Sequence, residues 1–490
     1  NAPDALACGT FDNSYNATGW GRLHIAASDA SGVSHLDAAW GVGYIEGLLT
    51  QHMIFEAYTN YMVEFWGADG TPVAAAVAWV KNHYTWVRQY AKDHSDEPYW
   101  GAVQTFLSQY DGLAAGYSKV APAAEAFSAV DFMFLQLDGD SETIQDLVQF
   151  RNNAMRSPRE PDTRCSVLVR ATDSNLFMSH DTWDSFVAML RIFKHYNLAV
   201  SSPDSNGKQM SFSSYPSLLS SLDDFYMLHH SNMVMVQTTN GILNQTLYKK
   251  VTNKALLAWH RVRLANMMAD SGEEWANIVS QYNSGTYNNQ YMVVDYKLFT
   301  PGKALPDNTL WVTEQIPGLM MSADVTQQLE RGYWPSYNVP YFPEIYELSG
   351  YTEFTQKFQA THPQAVAGVS YQLAPRAMIY RRDQGKAVDI ESFKRVLRSN
   401  DYRTDPYSHD NPFAAICSRG DLAGQTGGCY DTKVTSYEWM QLKKASVING
   451  PTTAGGTLPP FKWTAQFEST SHIGEPEEYD FVFEDMTWSM

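Results

Sequence analysis

The residue whose position most invites chemistry is Cys165. It opens an apolar run, Cys165-Ser-Val-Leu-Val-Arg-Ala171, and directly follows a polar stretch, residues 151–164, holding two prolines and four arginines. Such a stretch reads as an exposed loop open to proteolysis. Were the Arg164–Cys165 bond cut, Cys165 would carry both a thiol and a free α-amino group. An α-amine titrates near pH ~8 and can act as a local general base, so one residue would supply nucleophile and base together. The competing reading is a buried strand cysteine, the usual fate of a lone thiol.

A second strand, Leu176-Phe-Met-Ser-His-Asp181, follows the turn Thr172–Asn175. With Asp173-Ser174 as a two-residue loop, Cys165 falls opposite Thr182. His180 is then its diagonal neighbour on the same face, at roughly 7–8 Å between Cα atoms. An imidazole there would help hold a thiolate, and a different loop length would reverse the parity. Among familiar motifs there is no HExxH, GxSxG, P-loop or dinucleotide fingerprint. Gly139-Asp140-Ser141 resembles the start of a GDS-type lipase. The matching Asp-x-x-His is missing, however, since Pro406 and Ser469 stand three residues before His409 and His472. The fragment reads better as a turn before a helix.

The elements that must position these residues change character along the chain. Gly19–Ile25 alternates like one arm of a short hairpin, and helical spacing then covers Leu36–Trp66, Val73–Tyr90 and Tyr99–Leu113. After Cys165 the strand candidates are Met233–Thr239, Tyr291–Leu298, Leu310–Glu314, Gly318–Ala323 and Ala377–Arg381, with helices at Lys254–Met268 and Glu273–Tyr282. This predicts an α+β fold: a mostly helical region over 1–150, a linker over 151–164, and a layered domain over 165–490.

Composition narrows the class. The 490 residues include 35 Lys+Arg against 53 Asp+Glu, a net charge of −18 that disfavours nucleic acid as partner. Only 18% are charged and 13% are aromatic, which supports a large core and excludes intrinsic disorder. No apolar run approaches the roughly 18 residues of a spanning helix, which excludes an integral membrane protein. The start, Asn1-Ala-Pro-Asp4, reads as a chain that has lost a signal peptide or an expression tag. Of four cysteines, Cys417 and Cys429 flank a Gly-rich stretch whose spacing matches no common zinc pattern. A disulfide closing that loop is the favoured reading, in an oxidising compartment, with Cys8 unassigned. Sequons at Asn16 and Asn244 add weak support for a secretory route. Nothing indicates a metal or cofactor.

Longer strings carry a resemblance. Cys165-Ser-Val-Leu-Val and His180-Asp-Thr-Trp183 resemble the phospholipase B-like proteins, a lysosomal and secreted branch of the N-terminal nucleophile hydrolases. Phe212-Ser-Ser-Tyr-Pro216, Asp223-Asp-Phe-Tyr226, Thr238-Thr239 and above all Asn283-Ser-Gly-Thr-Tyr-Asn-Asn-Gln290 continue it. Glu314-Gln-Ile-Pro-Gly318, Tyr333-Trp-Pro-Ser-Tyr-Asn338, Pro375-Arg376 and Asp431-Thr-Lys-Val-Thr435 extend it nearly to the end. The resemblance implies a four-layer αββα core and a precursor cleaved before the nucleophile, Cys165. It also implies a pocket lined by His180, Trp183, Thr239, Asn338 and Arg376. Asn338 would offer its amide to an oxyanion, Arg376 would stabilise thiolate or oxyanion, and Thr239 would orient the freed amine. His180 and Trp183, three residues apart, share a pocket only if the strand ends or bulges near Asp181. The expected reaction is deacylation of phospholipids through an acyl-thioester. Cleavage of N-acyl amides and a non-catalytic lumenal lipid-binding role are the alternatives.

Overall fold

The computed structural model describes residues 5–28, 32–137, 139–152, 164–198 and 209–488. Most of the expected linker, 153–163, and the first four residues lie outside the described residues.

Two antiparallel-rich sheets form the centre. The larger runs, edge to edge, through Ala7–Asp12, Gly21–Ala27, Ile192–Asn197, Gln209–Ser214, Phe225–Leu228, Met233–Thr239, Asn289–Asp295, Leu310–Ile316 and Leu319–Asp324. The smaller runs through Tyr333–Ser336, Val167–Ala171, Leu176–His180, Asp431–Ser436, Lys444–Asn449 and Glu484–Thr487. Strand side chains alternate between faces, and here the alternation sorts residues between layers. Val167, Val169, Leu176 and Met178 of the smaller sheet pack with Val234, Val236, Met292 and Val294 of the larger one, making the inter-sheet core. The intervening residues point outward. Met233, Met235, Tyr291 and Val293 meet Val42, Val262 and Trp275 of the helices His35–Trp66, Ala258–Met268 and Gly272–Val279. Leu168, Phe177 and Val434 meet Ile379, Tyr380 and Phe393 of the helices Pro375–Asp383 and Ile390–Leu397. The order helix, sheet, sheet, helix is the expected four-layer arrangement.

The helical region is anchored to this core rather than standing apart. Gly21–Ala27 pairs in parallel with Ile192–Asn197, so the first two strands complete one edge of the larger sheet. The helix His35–Trp66 is capped by Ser34, whose hydroxyl accepts from the Asp37 N–H, and it lies almost in backbone contact with Pro98–Val120. Cβ atoms built at Gly43 and Gly112 would come within 2 Å of the carbonyl oxygens of Gln109 and Trp40 respectively. Only glycine permits so close an approach.

Ala377–Arg381, expected as a strand, is helical: it lies within Pro375–Asp383. Five residues are too few to separate the two periods. The decisive features are Pro375 in the first turn, where its missing N–H costs nothing, and burial of Arg376, Ala377, Ile379, Tyr380 and Asp383 at helical spacing. Gly139-Asp140-Ser141 opens the helix Asp140–Arg151, as a turn reading requires.

Candidate active site

The hairpin Val167–Ala171/Leu176–His180 closes in the expected register. Val169 pairs with Met178 and Arg170 with Phe177, and a bridge between Ser166 and Asp181 continues the series. Continued by one residue, that register sets Cys165 opposite Thr182 and aims Cys165 and His180 at the inter-sheet side, at the end of the smaller sheet. The strand stops at His180. Trp183 begins a separate short strand, Trp183–Ser185, which pairs with Gly427–Cys429. This break lets Trp183 turn back toward the same site.

Arg376, in the first turn of its helix, is the hub. Its Nη1 donates to the carbonyl of Cys165 (2.6 Å) and to Ser166 Oγ (3.1 Å), and stands 3.4 Å from the carbonyl of Arg164. Its Nη2 donates to the Tyr337 carbonyl (2.9 Å) and to Asn338 Oδ1 (2.7 Å). The guanidinium lies 4.2 Å from the Trp183 ring centroid, while Trp183 Nε1 donates to the Ile416 carbonyl. Asn338 takes a left-handed backbone (φ 69°), which asparagine tolerates better than most residues. Its Oδ1 accepts the Arg164 backbone N–H at 2.8 Å, and its Nδ2 donates to the Thr239 carbonyl at 2.7 Å. Asn338 thus holds the backbone N–H of the residue before Cys165, with one of its own two amide hydrogens already committed. Thr239 Oγ1 is buried and has no partner. The Arg164 side chain is pinned by Glu142 and by Asp184 (2.9 Å).

Cys165 is 4% exposed in the intact chain. Burial pushes its thiol up to about 12, against the opposing pull of the Trp183 backbone N–H and the Lys433 charge. His180 is fully buried and held neutral, first by burial and then by Lys433.

Beside these lies a charged cluster that sequence reasoning missed. Lys433 Nζ sits 2.7 Å from Asp223 and 2.6 Å from Asp431, and Arg191 binds the same two carboxylates, all four side chains wholly buried. Thr182, opposite Cys165, donates its hydroxyl to Asp223 and its backbone N–H to Asp431. His180, Asp223 and Asp431 offer ligand atoms within 4.8 Å of one another, but Lys433 and Arg191 already bring positive charge to both carboxylates. The available signal was the strand Asp431–Ser436, which is buried at every position although its sequence is mostly polar. A strand that buries Asp and Lys together must pair them.

Cys417 and Cys429 form the expected disulfide and pack against Trp183. Cys8 is free and exposed on the outermost strand of the larger sheet. Of the sequons, Asn16 is exposed, whereas the Asn244 side chain donates to the Leu348 carbonyl and caps a short helical turn. Among the described residues no helix is long and apolar enough to cross a membrane.

Compared with known proteins, residues 7–486 match the family model described as Phospholipase B. The chain is 39% identical over 487 residues to phospholipase B-like 1 of Bos taurus, covering 97% of this chain and 87% of that one. It is 38% identical over 498 residues to phospholipase B of Crotalus adamanteus (97% and 87%). It is 35% identical over 525 residues to phospholipase B-like protein G of Dictyostelium discoideum (99% and 86%). Matched over nearly its whole length, this chain belongs to the phospholipase B family.

Proposed function

We propose that this chain is the precursor of an acyl hydrolase that cleaves fatty-acyl esters of phospholipids, with Cys165 as nucleophile after cleavage of the Arg164–Cys165 bond. One observation carries the reading: Asn338 and Arg376 hold the chain around that bond, Asn338 at the Arg164 N–H and Arg376 at the Arg164 and Cys165 carbonyls. In the first reaction Cys165 Sγ attacks the Arg164 carbonyl carbon, and the amide nitrogen leaves as the new α-amine. Water then hydrolyses the thioester, leaving a carboxylate on Arg164 and a free thiol on Cys165. The amine is still an amide in this step, so it cannot be the base. Neutral His180 on the same face is the candidate proton acceptor.

In the second reaction the amine takes the thiol proton and the thiolate attacks an ester carbonyl. Arg376 and the remaining amide hydrogen of Asn338 face the developing oxyanion. The unpartnered Thr239 Oγ1 accepts from the new amine and orients it. Departure of Arg164, now held by Glu142 and Asp184, opens the approach to sulfur. The disulfide supports a lysosomal or secreted location.

The same oxyanion chemistry serves N-acyl amides, so substrate class is decided by assay. Fatty-acid release from phosphatidylcholine is compared with release from N-acyl amides, using the cleaved form and a Cys165→Ala control. Preferential ester cleavage that Cys165→Ala abolishes is expected; amide preference or Cys165-independent release refutes the proposal. A non-catalytic lipid-binding role is favoured only by the burial of Cys165. It requires that the chain stay intact in the form that binds lipid and that blocking Cys165 leave binding unchanged.

A further inference from the structure

Far along both sheets from Cys165, four neighbouring strands of the larger sheet set polar side chains at one level. Thr10 pairs with His24, His24 with His195, and His195 with Ser211. The His24 and His195 rings stack with centroids 4.3 Å apart. His195 Nδ1 and His229 Nε2 each lie 2.7 Å from the Ser211 hydroxyl. Facing them is Glu484–Thr487, the outermost strand of the smaller sheet. Between this level and the charged cluster near Cys165, the space between the sheets is packed with aliphatic and aromatic side chains. Here it opens as a cavity of about 320 Å³ lined by Thr10, Asp12, Arg22, His24, His195 and Thr487, among others. A buried polar row that its own side chains do not satisfy calls for a partner.

The unmet groups specify that partner. Arg22 Nη2 is bonded to Glu484 at 2.6 Å, but Arg22 Nε is buried and unpartnered, and a guanidinium N–H can only donate. His24 Nδ1 is likewise buried without a partner. Ser211 bridges two imidazoles, so its hydroxyl can donate to either, and His195 can place its own proton on Nε2 for a ligand. The occupant must therefore present acceptor oxygens to several donors at once. A metal cation is disfavoured by the adjacent guanidinium, and a fatty acyl chain by the polar walls. The acidic groups on the strands that line the cavity are Asp12 at the rim, Glu484, which is committed to Arg22, and Asp485, which is paired with Lys444.

We propose that this cavity binds a phosphate group, either free or esterified to a small alcohol such as a lipid headgroup. Its volume exceeds that of a bare phosphate and leaves room for such a substituent.

The test is calorimetric titration of the full chain with inorganic phosphate and, separately, with glycerophosphocholine. It is repeated with Arg22→Lys, which keeps a cation for Glu484 but removes the Nε donor, and with His24→Phe, which keeps a ring stacked on His195. Saturable one-to-one binding of either probe, weakened at least tenfold in both variants, is expected. Preference for one probe tells free phosphate from a headgroup ester. Absence of saturable binding by both probes, or affinities unchanged in both variants, overturns the proposal.

Discussion

Replacing Arg376 by lysine isolates the guanidinium from its charge. Burial lowers the Arg376 proton affinity to about 10, so it is still a cation at neutral pH, and a lysine there would supply a charge as well. What lysine cannot supply is the fork: Arg376 donates to Cys165 O, Ser166 Oγ, Tyr337 O and Asn338 Oδ1 from two nitrogens, all within 3.1 Å. Each such charge-assisted bond contributes about 1.5–3 kcal/mol, and losing two would cost about 3–6 kcal/mol if nothing relaxed. The cleavage step should suffer separately. Arg376 Nη1 is 3.4 Å from the Arg164 carbonyl oxygen and would tighten as that oxygen becomes negative. Removing a donor of this kind typically slows acyl transfer by about 10²–10³. The assay follows appearance of two fragments on denaturing gels, with thermal melts by circular dichroism as the fold control. Trp183→Leu removes the ring beneath the guanidinium but no bond to the scissile peptide, so it should slow cleavage less than about tenfold, at the level of a cation–π contact. Parental cleavage by a folded Arg376→Lys chain, or equal damage from Trp183→Leu, would refute the reasoning.

Alkylation of Cys165 by iodoacetamide at pH 7.5 should be at least tenfold faster in the cleaved form than in the intact chain, where burial raises the thiol to about 12; equal rates argue against activation by cleavage. Thr239→Val should leave precursor stability within about 0.5 kcal/mol, because the lost hydroxyl has no partner there, yet slow turnover of the mature form; unchanged turnover removes Thr239 from the mechanism. Opening the Cys417–Cys429 loop, 12 residues in separation, by a double serine substitution should lower stability by about 3 kcal/mol in urea titrations and reduce activity, since Trp183 packs on the bridge. Stability should peak in mild acid. Glu314 and Asp140 are raised by burial to about 7 and about 6, so their contributions are complete below the unfolded carboxyl values and fade as pH rises through 6 to 7. His83 and His229 are lowered by burial to about 4 and about 3, so theirs are complete above about 6.5 and fade as pH falls through 4 to 3. Urea unfolding from pH 3 to 8 should give a maximum between about 4.5 and 6.5, and a continued rise to pH 8 would contradict these assignments.

The parts of this molecule legible in its sequence are those fixed by local pattern. Met233–Thr239 was readable to the residue because alternate side chains enter two different apolar layers. The Cys165 hairpin was readable because a two-residue loop sets its register. Ile192–Asn197, Gln209–Ser214 and Asp431–Ser436 escaped notice because buried Lys194, His195, Ser211, Ser213 and Lys433 replace the hydrocarbon that marks a core strand. The pairing of Gly21–Ala27 with Ile192–Asn197 joins segments about 170 residues apart and leaves no local trace. The candidate site divides in the same way. Cys165 and His180 follow from one hairpin, whereas Thr239, Asn338 and Arg376 come from separate segments, and only family resemblance named them in advance.

The charged cluster explains why the proposed nucleophile should be silent before cleavage and competent after it. Lys433 and Arg191 balance Asp223 and Asp431, so this fully buried group is close to neutral as it stands. A thiolate formed beside it in the intact chain must be stripped of water, and burial raises the thiol even with Lys433 and the Arg376 cation close by. Breaking the Arg164–Cys165 bond on the proposed route converts a neutral amide into an amine on the same residue as the sulfur. Once that amine takes the thiol proton, the pair is ammonium and thiolate, a balanced unit added to a balanced cluster. The event that frees the nucleophile would therefore also create its counter-charge, leaving Arg376 available for the oxyanion.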